Sequence, residues 1–415
     1  MKSENVKNWI WLSRALGFGS KKIKALYELY SDISVFCKGG EKEWRFSGII
    51  SDSEINHLKT IRPEIADGII SRCKELGYGI VAIDDEKYPE CLRAISNPPA
   101  VLYVWGNLPD VDNICTVGIV GTRTASNYGL RNSYSFGYAL SKYDFTVVSG
   151  GALGVDCASH RGTLAADGVT ICVRGCGINY PYLMDNAAMR EAITLRGAVI
   201  SEYPPDTPPF PYRFPARNRI IAALSDGVLI IESGKKSGSL ITADYALDMG
   251  KKLFALLGNN NPENEGSNER IKNRSAMPVT DFMDIVLALK SEADKQIDAD
   301  DEIPLGEVEK IPVKSRVRRI NQKKKGKKTE KSYSGEDVPE REIREKLAKK
   351  PVHKDVSGLS EDADKIYRYL SAEPVNIDKI SQDTGLPVNR ALSALTQLEI
   401  YDLVISKSGR RFALK

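Results

Sequence analysis

The chain has 415 residues and a mass of 45.8 kDa, room for roughly two to four domains of ordinary size. With 42% hydrophobic and 27% charged residues it can build a sizeable core, and wholesale disorder is excluded. The net charge is only +4 but unevenly placed: residues 291–310 are net −6, residues 314–331 net +9, and the remainder is close to neutral, so a nucleic-acid role has to rest on local sites.

No apolar run approaches the ~18–20 residues that span a bilayer, so no membrane partner is expected. The opening residues carry Glu4 and no unbroken apolar stretch, which does not read as a secretory leader. Seven cysteines without framework spacing point to a reducing, cytoplasmic setting.

Residues 1–76 read as a helical domain. Within it LSRALGFGSKKIKAL (12–26) has the form of a helix–hairpin–helix, whose hairpin amides either hold a DNA phosphate or serve packing alone. Residues 77–290 alternate short, β-branched apolar runs with stretches of helical spacing. The strands are expected at 116–120, 145–149, 169–173, 197–201, 227–231 and 252–257, with 79–83 as an edge strand. The helices are expected at 127–142, 155–167, 185–196, 217–225 and 239–249. That order predicts an α/β fold with a doubly wound, parallel, Rossmann-like sheet.

In such sheets ligands bind beyond the carboxyl ends of the strands. There the sequence places four glycine-rich turns: GTRTASNYG (121–129), SGGALGVD (149–156), GCGINYP (175–181) and ESGKKSGS (232–239). Glycine permits close approach to a phosphate, and hydroxyls and Arg123 add donors and charge. Neither a dinucleotide fingerprint nor a P-loop is present, so the set suits a polyphosphate track better than one nucleotide. The stretch FPYRFPARNR (210–219) interleaves aromatics with arginines, a pattern that serves stacking on unpaired bases and phosphate neutralisation. Arg217 and Arg219 fall at the start of the expected helix, where cations oppose the macrodipole unless an anion is bound.

Residues 291–357 are charge-segregated and poor in large apolar side chains, and read as a flexible linker. PEREIREKLAKK (339–350) is a transient-helix candidate, and the lysine run reads as solvated linker in preference to a nonspecific phosphate contact. Residues 358–415 read as a winged helix: a helix at 361–371, a helix and turn at 377–387, a helix from Pro387, and a hairpin over 403–413 turning at Ser408–Gly409. Arg410 and Arg411 sit in the wing, but the recognition helix carries Arg390 as its only base, which suits protein or nonspecific duplex contact.

Taken together, YPECL (88–92), NPPAVLYVWG (97–106), VGTRTASNYG (120–129), SGGALGVD (149–156), FPARNRIIAALS (214–225) and SGSLITA (237–243) resemble the DNA-processing protein A family (DprA, also called Smf). The resemblance implies an extended Rossmann-like domain that binds and protects single-stranded DNA and loads the recombinase RecA in natural transformation. It also implies a homodimer, no catalysis and no cofactor. Family strand-binding positions map to Arg123, the Ser149–Gly154 turn and Arg217–Arg219. The candidate strand-binding set is therefore Gly121, Thr122, Arg123 and Ser126; Ser149, Gly150, Gly151 and Gly154; Phe214, Arg217, Asn218 and Arg219; and Ser237, Gly238 and Ser239. Departures are Leu153, where the family often has arginine, and the looser GSNERI (266–271) and Ser275–Ala276.

Catalytic chemistry has little to stand on. Of three histidines, His160 lies beside a glycine turn and reads as helix packing. Cys172 and Cys176 lack a second pair, so no metal is expected. Asp156 reads as a helix cap. The alternative function is a nucleotide-processing enzyme of the lysine-decarboxylase-like Rossmann type, whose PGGxGTxxE motif would need a glutamate where Tyr245 stands. A third reading is a transcription regulator acting through the winged helix.

Overall fold

A computed structural model describes residues 2–290, 305–312, 314, 360–370, 375–400, 403–407 and 411–414. The chain divides into two compact units, Met1–Ile320 and Asn321–Lys415.

The first unit opens with five helices: α1 (Lys2–Leu16), α2 (Lys22–Leu29), α3 (Ile33–Phe46), α4 (Asp52–Thr60) and α5 (Ile65–Leu76). Their ends follow local chemistry. Ser51 and Glu54 form a capping box at α4, and Gly77 ends α5 in the left-handed conformation. Then come β1 (Gly79–Ala82), α6 (Glu90–Arg93), β2 (Val101–Gly106), β3 (Thr116–Val120), α7 (Asn127–Lys142), β4 (Thr146–Ser149), α8 (Val155–Ala165), β5 (Thr170–Arg174), α9 (Ala187–Thr194) and β6 (Ala198–Ser201). The unit continues with α10 (Arg213–Ala223), β7 (Gly227–Ile230), α11 (Ser239–Asp248), β8 (Lys252–Leu256), α12 (Glu265–Lys272), β9 (Met277–Val279) and α13 (Met283–Leu289).

The nine strands form one sheet in the order β1-β2-β6-β5-β4-β3-β7-β8-β9. From β6 to β9 every pairing is parallel, as the alternation of strand and helix predicts. The edge strand at 79–82 is present. Between it and β6 lies β2, antiparallel to both, which the strand pattern alone left out. Strand order reverses between β3 and β7, so their turns diverge and open a crevice at the carboxyl edge. Apolar side chains cover both faces. One cluster runs without a break from α1 (Trp9, Ile10, Trp11, Leu12) into β1, β2 and β6, and the other holds Val117, Phe136, Leu140, Phe254 and Ile285.

The expectation of an unstructured linker from residue 291 fails over part of its length. A 3₁₀ turn at Leu305–Lys310 is followed by Ile311, and Val308 and Ile311 are buried in the larger apolar cluster of the first unit. Beyond it Gly154 N–H donates to the Pro312 carbonyl at 3.0 Å, and Lys314 N–H to the Arg123 carbonyl at 2.9 Å. Two apolar anchors and two backbone bonds hold this strap. The helix candidate at 339–350 lies outside the described residues.

The second unit contains α14 (Glu361–Tyr369), β10 (Val375–Asn376), α15 (Ile377–Thr384), α16 (Val388–Ile400), β11 (Val404–Lys407) and β12 (Arg411–Leu414). Its strands pair β10-β12-β11. Ala363, Ile366, Ile380, Leu395, Leu398 and Phe412 form the core. Three helices and a small antiparallel sheet make the expected winged helix. Arg390 is held by Asp362 through two bonds of 2.8 Å, which weakens it further as a base reader. The Ser408–Gly409 turn and Arg410 lie outside the described residues.

Helices α7 and α8 pack against each other at backbone contact. A Cβ added at Gly162 would lie 2.0 Å from the Tyr134 carbonyl oxygen, and one at Gly137 2.3 Å from that of Ser159. Gly162→Ala is therefore expected to destabilise the fold by about 1–3 kcal/mol, the range for overpacking. A denaturant midpoint unchanged from wild type would show that these helices separate at little cost.

Candidate nucleic-acid interface

The crevice between the ends of β3 and β7 is a cleft of about 300 Å³. Nine of the fifteen sequence-predicted residues line it: Gly121, Thr122, Arg123, Phe214, Arg217, Asn218, Ser237, Gly238 and Ser239. Helix α10 explains the arrangement. At 100° per residue, Phe214, Arg217, Asn218 and Ile221 fall on one face, and that face forms the cleft wall. The helix starts at Arg213 rather than at 217, so Arg217 and Arg219 lie in its second turn, and the cation at its first position is Arg213.

Both arginines of the cleft are fixed by their neighbours. The Arg123 guanidinium lies 5.4 Å from the centre of the Phe214 ring, and Tyr182 packs on the same ring at 5.5 Å. Arg217 is 4% exposed and donates through Nη1 to the carbonyls of Gly150, at 2.8 Å, and Val173. Burial lowers its pKa from the ordinary guanidinium value, while Asp156 opposes the shift. Burial raises the Asp156 carboxyl, with Arg217 opposing, and its Oδ2 accepts the Ala152 N–H at 3.3 Å. Asn218 donates to the Gly238 carbonyl at 3.1 Å, which ties α10 to the fourth turn. There Ser237 and Ser239 share a 2.8 Å hydroxyl bond at the head of α11. Arg123, Arg217 and Lys314 against Asp156 leave the lining net positive.

Six predicted residues fall elsewhere. Gly150 and Gly151 line a smaller adjoining pocket. Ser149 is buried and donates to the Ile119 carbonyl at 2.6 Å. Ser126 caps α7 by accepting the Gly129 N–H at 3.1 Å, and both its own N–H and its hydroxyl are taken by Glu232. The Gly154 N–H is taken by Pro312. Arg219 is 1% exposed, points away from the cleft, and donates both bonds of its Nη2 to Glu202 at 2.8 and 2.9 Å. These four serve the fold. The N-terminal hairpin resolves in the same way: Gly19 N–H donates to Glu202 Oε1 at 2.8 Å, and Phe18 packs edge-on against Tyr203 at 4.8 Å. Packing occupies the amide that a phosphate would need.

His160 is fully buried. Thr170 donates its hydroxyl to the Val147 carbonyl at 2.6 Å, so Nδ1 of His160 carries the proton it gives Thr170 at 2.8 Å. Lys314 and the adjoining arginines Arg174 and Arg190 were missed. The apolar pair Val308 and Ile311 in an otherwise charged stretch, and a basic residue ending the apolar run VTICVR (169–174), were the available signals. No group of three or more metal-ligating side chains occurs among the described residues. No described helix is long and apolar enough to cross a membrane.

The chain thus combines a doubly wound sheet, a cationic, hydroxyl-lined cleft at the switch point of that sheet, and a winged helix. The DNA recombination-mediator protein A family model matches residues 79–290, and the DprA winged helix domain matches residues 354–410. Protein Smf of Synechocystis is 33% identical over 336 residues, 79% of this chain and 78% of that protein. The DNA processing protein DprA of Bacillus subtilis is 34% identical over 203 residues, 49% of this chain and 68% of that one. The X-ray structure of DNA processing protein A from Streptococcus pneumoniae superposes with a TM-score of 0.60 at 28% identity, covering 68% of this chain and 98% of that chain. The chain belongs to the DNA recombination-mediator protein A family.

Arg219→Ala leaves Glu202 charged and unpaired in the core, and is expected to cost about 3–5 kcal/mol of stability in denaturant titration. It should leave the salt dependence of any strand binding by the folded fraction unchanged. Burial, with Arg217 adding, holds the His160 pKa down to about 3 from 6.5. The folded protein keeps this ring neutral while the unfolded chain protonates it. Its contribution is thus complete above pH 6.5 and lost as pH falls toward 3, at up to about 1.4 kcal/mol per pH unit. His160→Gln should flatten the acid limb of a stability–pH curve by that slope, and parallel curves would refute the assignment.

Proposed function

We propose that this protein binds single-stranded DNA along the cleft and delivers it to a RecA-type recombinase. It acts as a cytoplasmic homodimer and turns over no substrate. The observation that carries the strand-binding reading is the Arg123 guanidinium over the Phe214 ring at the cleft, with no ion pair to Arg123 among the described residues. A planar cation beside an aromatic face engages a phosphate and an unpaired base together, and needs no sequence preference. The serine and threonine hydroxyls along the same wall supply further donors to a backbone. Asp156, the carboxylate of the cleft, is buried and accepts the Ala152 N–H, which supports binding over proton transfer. The family's description as a recombination mediator supports the hand-over step.

The test is a salt titration of the full chain against fluorescent oligo-dT and a matched duplex. Arg123→Ala should weaken strand binding across sequences and reduce the salt slope by about 0.7, one phosphate's worth on a single strand. Phe214→Ala should cost about 1–3 kcal/mol with the slope unchanged, because stacking releases no counter-ion. Equal affinity for duplex and single strand, or wild-type behaviour of both variants, would overturn the reading.

A further inference from the structure

A narrow second pocket shares Arg123, Ala152, Phe214 and Arg217 with the cleft and adds two arginines of its own. Arg174 ends β5 and is 5% exposed; Arg190, on α9, is 6% exposed. Arg174 Nη2 donates to the Tyr180 carbonyl at 3.1 Å and touches Cys176 Sγ at 3.1 Å, while its Nε is buried with no acceptor. Arg190 Nη1 donates to the Leu183 carbonyl at 2.9 Å. Among the described residues no carboxylate lines the pocket, and neither arginine has an ion-pair partner within 4.0 Å. Buried charge left without a counter-ion is strongly disfavoured, and proteins rarely keep two such groups together without use for them. Burial, and next to it the charge of Arg174, lowers the Arg190 pKa from its ordinary value. Leu183, whose carbonyl steers Arg190, holds φ at +53°, a left-handed conformation that a branched side chain adopts only under constraint.

We infer that this pocket binds one phosphate group, held by Arg174 and Arg190 inside and by Arg217 and Arg123 at the mouth. Planar guanidiniums match the oxygens of a phosphate in pairs, and a phosphate brings the charge this lining lacks. The pocket's free volume is about 20 Å³, which admits the oxygen end of a phosphate and excludes a base. The phosphate belongs either to a strand lying in the adjoining cleft or to a free phosphate ion. Only the first source rests on the strand-binding function proposed above.

The experiment follows thermal unfolding of the full chain in inorganic phosphate against chloride at fixed ionic strength, for wild type and Arg174→Leu. Phosphate should raise the wild-type melting temperature in a saturable way, and the apparent affinity should fall at least tenfold in R174L. R174L without phosphate should melt no lower than wild type, because it removes an unpaired buried charge; a merely structural arginine would behave in the opposite way. Where R174L does not fold, Arg190→Lys reads the same question, since it keeps a charge but loses the planar fork. A second arm measures oligo-dT, with and without a 5′-phosphate, across salt concentrations. Loss of about 0.7 in salt slope in R174L on both oligonucleotides identifies an internal strand phosphate. Loss only with the 5′-phosphate identifies a strand end, and unchanged strand binding with a lost phosphate response identifies the free ion. A phosphate response equal to that of chloride, or retained in full by the variants, overturns the site. Lys314→Ala in the second arm reports on the cleft separately, because Lys314 lines the cleft and not the pocket, so the two readings fail independently.

Discussion

The buried pair of Arg219 and Glu202 is the constraint on which the rest of the first unit depends. Glu202 follows β6 directly, and Arg219 lies in the second turn of α10. The same guanidinium also donates to the Asn97 carbonyl at 3.0 Å and to that of Ala216 at 3.0 Å, and the same carboxylate accepts the Gly19 N–H. One ion pair therefore joins the N-terminal hairpin, the loop before β2, the end of β6 and α10. Two charges this deep are stable only when every donor and lone pair is met, so the four elements have one common arrangement. The rotation of α10 about its axis is fixed in the same act. Five residues separate Phe214 from Arg219, a rotation of about 140° along the helix, so pinning Arg219 inward presents Phe214, Arg217 and Asn218 to the cleft.

This geometry shows what the sequence could carry and what it could not. The parallel strands were legible because strands buried on both faces leave continuous β-branched runs, and the rim was legible because crossover turns follow them. In R-N-R, by contrast, chemistry alone does not separate Arg217 from Arg219. The choice depends on the helix phase, and that phase is set by Glu202, seventeen positions upstream. Strand β2 was hidden for a related reason. Its pairing is antiparallel and comes from a segment outside the alternating pattern, so periodicity gives it no place in the sheet. The strap at 305–314 is a third case. Two apolar residues in a charged stretch are too few to stand out by composition, yet they suffice once a preformed surface receives them.

The glycines in the rim act mainly through close packing. A Cβ at Gly150 would lie 2.5 Å from the Arg217 guanidinium, and one at Gly121 2.6 Å from the Val155 side chain. Several amides of the second turn are already bonded, to Asp156 and to Pro312. Glycine-rich sequence at a strand end is thus compatible with two different chemistries: amides aimed at a ligand, or a backbone thin enough for a basic side chain to pass. Here the second prevails, and the positive charge at the rim comes from arginines threaded through the turns.

Arginines held in this way differ in kind from a lysine run. Arg217 is clamped by two carbonyls and the Asn218 amide oxygen, and Arg123 by an aromatic ring, so little rotamer freedom remains to be lost when an anion arrives. Immobilising a free side chain at an interface costs about 0.5–1.5 kcal/mol, and four such arginines would forfeit much of the electrostatic gain if they were mobile. The cost has instead been met in folding, where the Arg219–Glu202 pair, the α10 phase and the packed turns hold the cations in place before any ligand is present. A contiguous block of lysines raises local anion concentration but imposes no geometry. Lys314 stands between the two kinds: its backbone is bonded to Arg123 at the cleft edge, and its side chain is exposed at the start of the basic run. In the function proposed above, position comes from the clamped arginines.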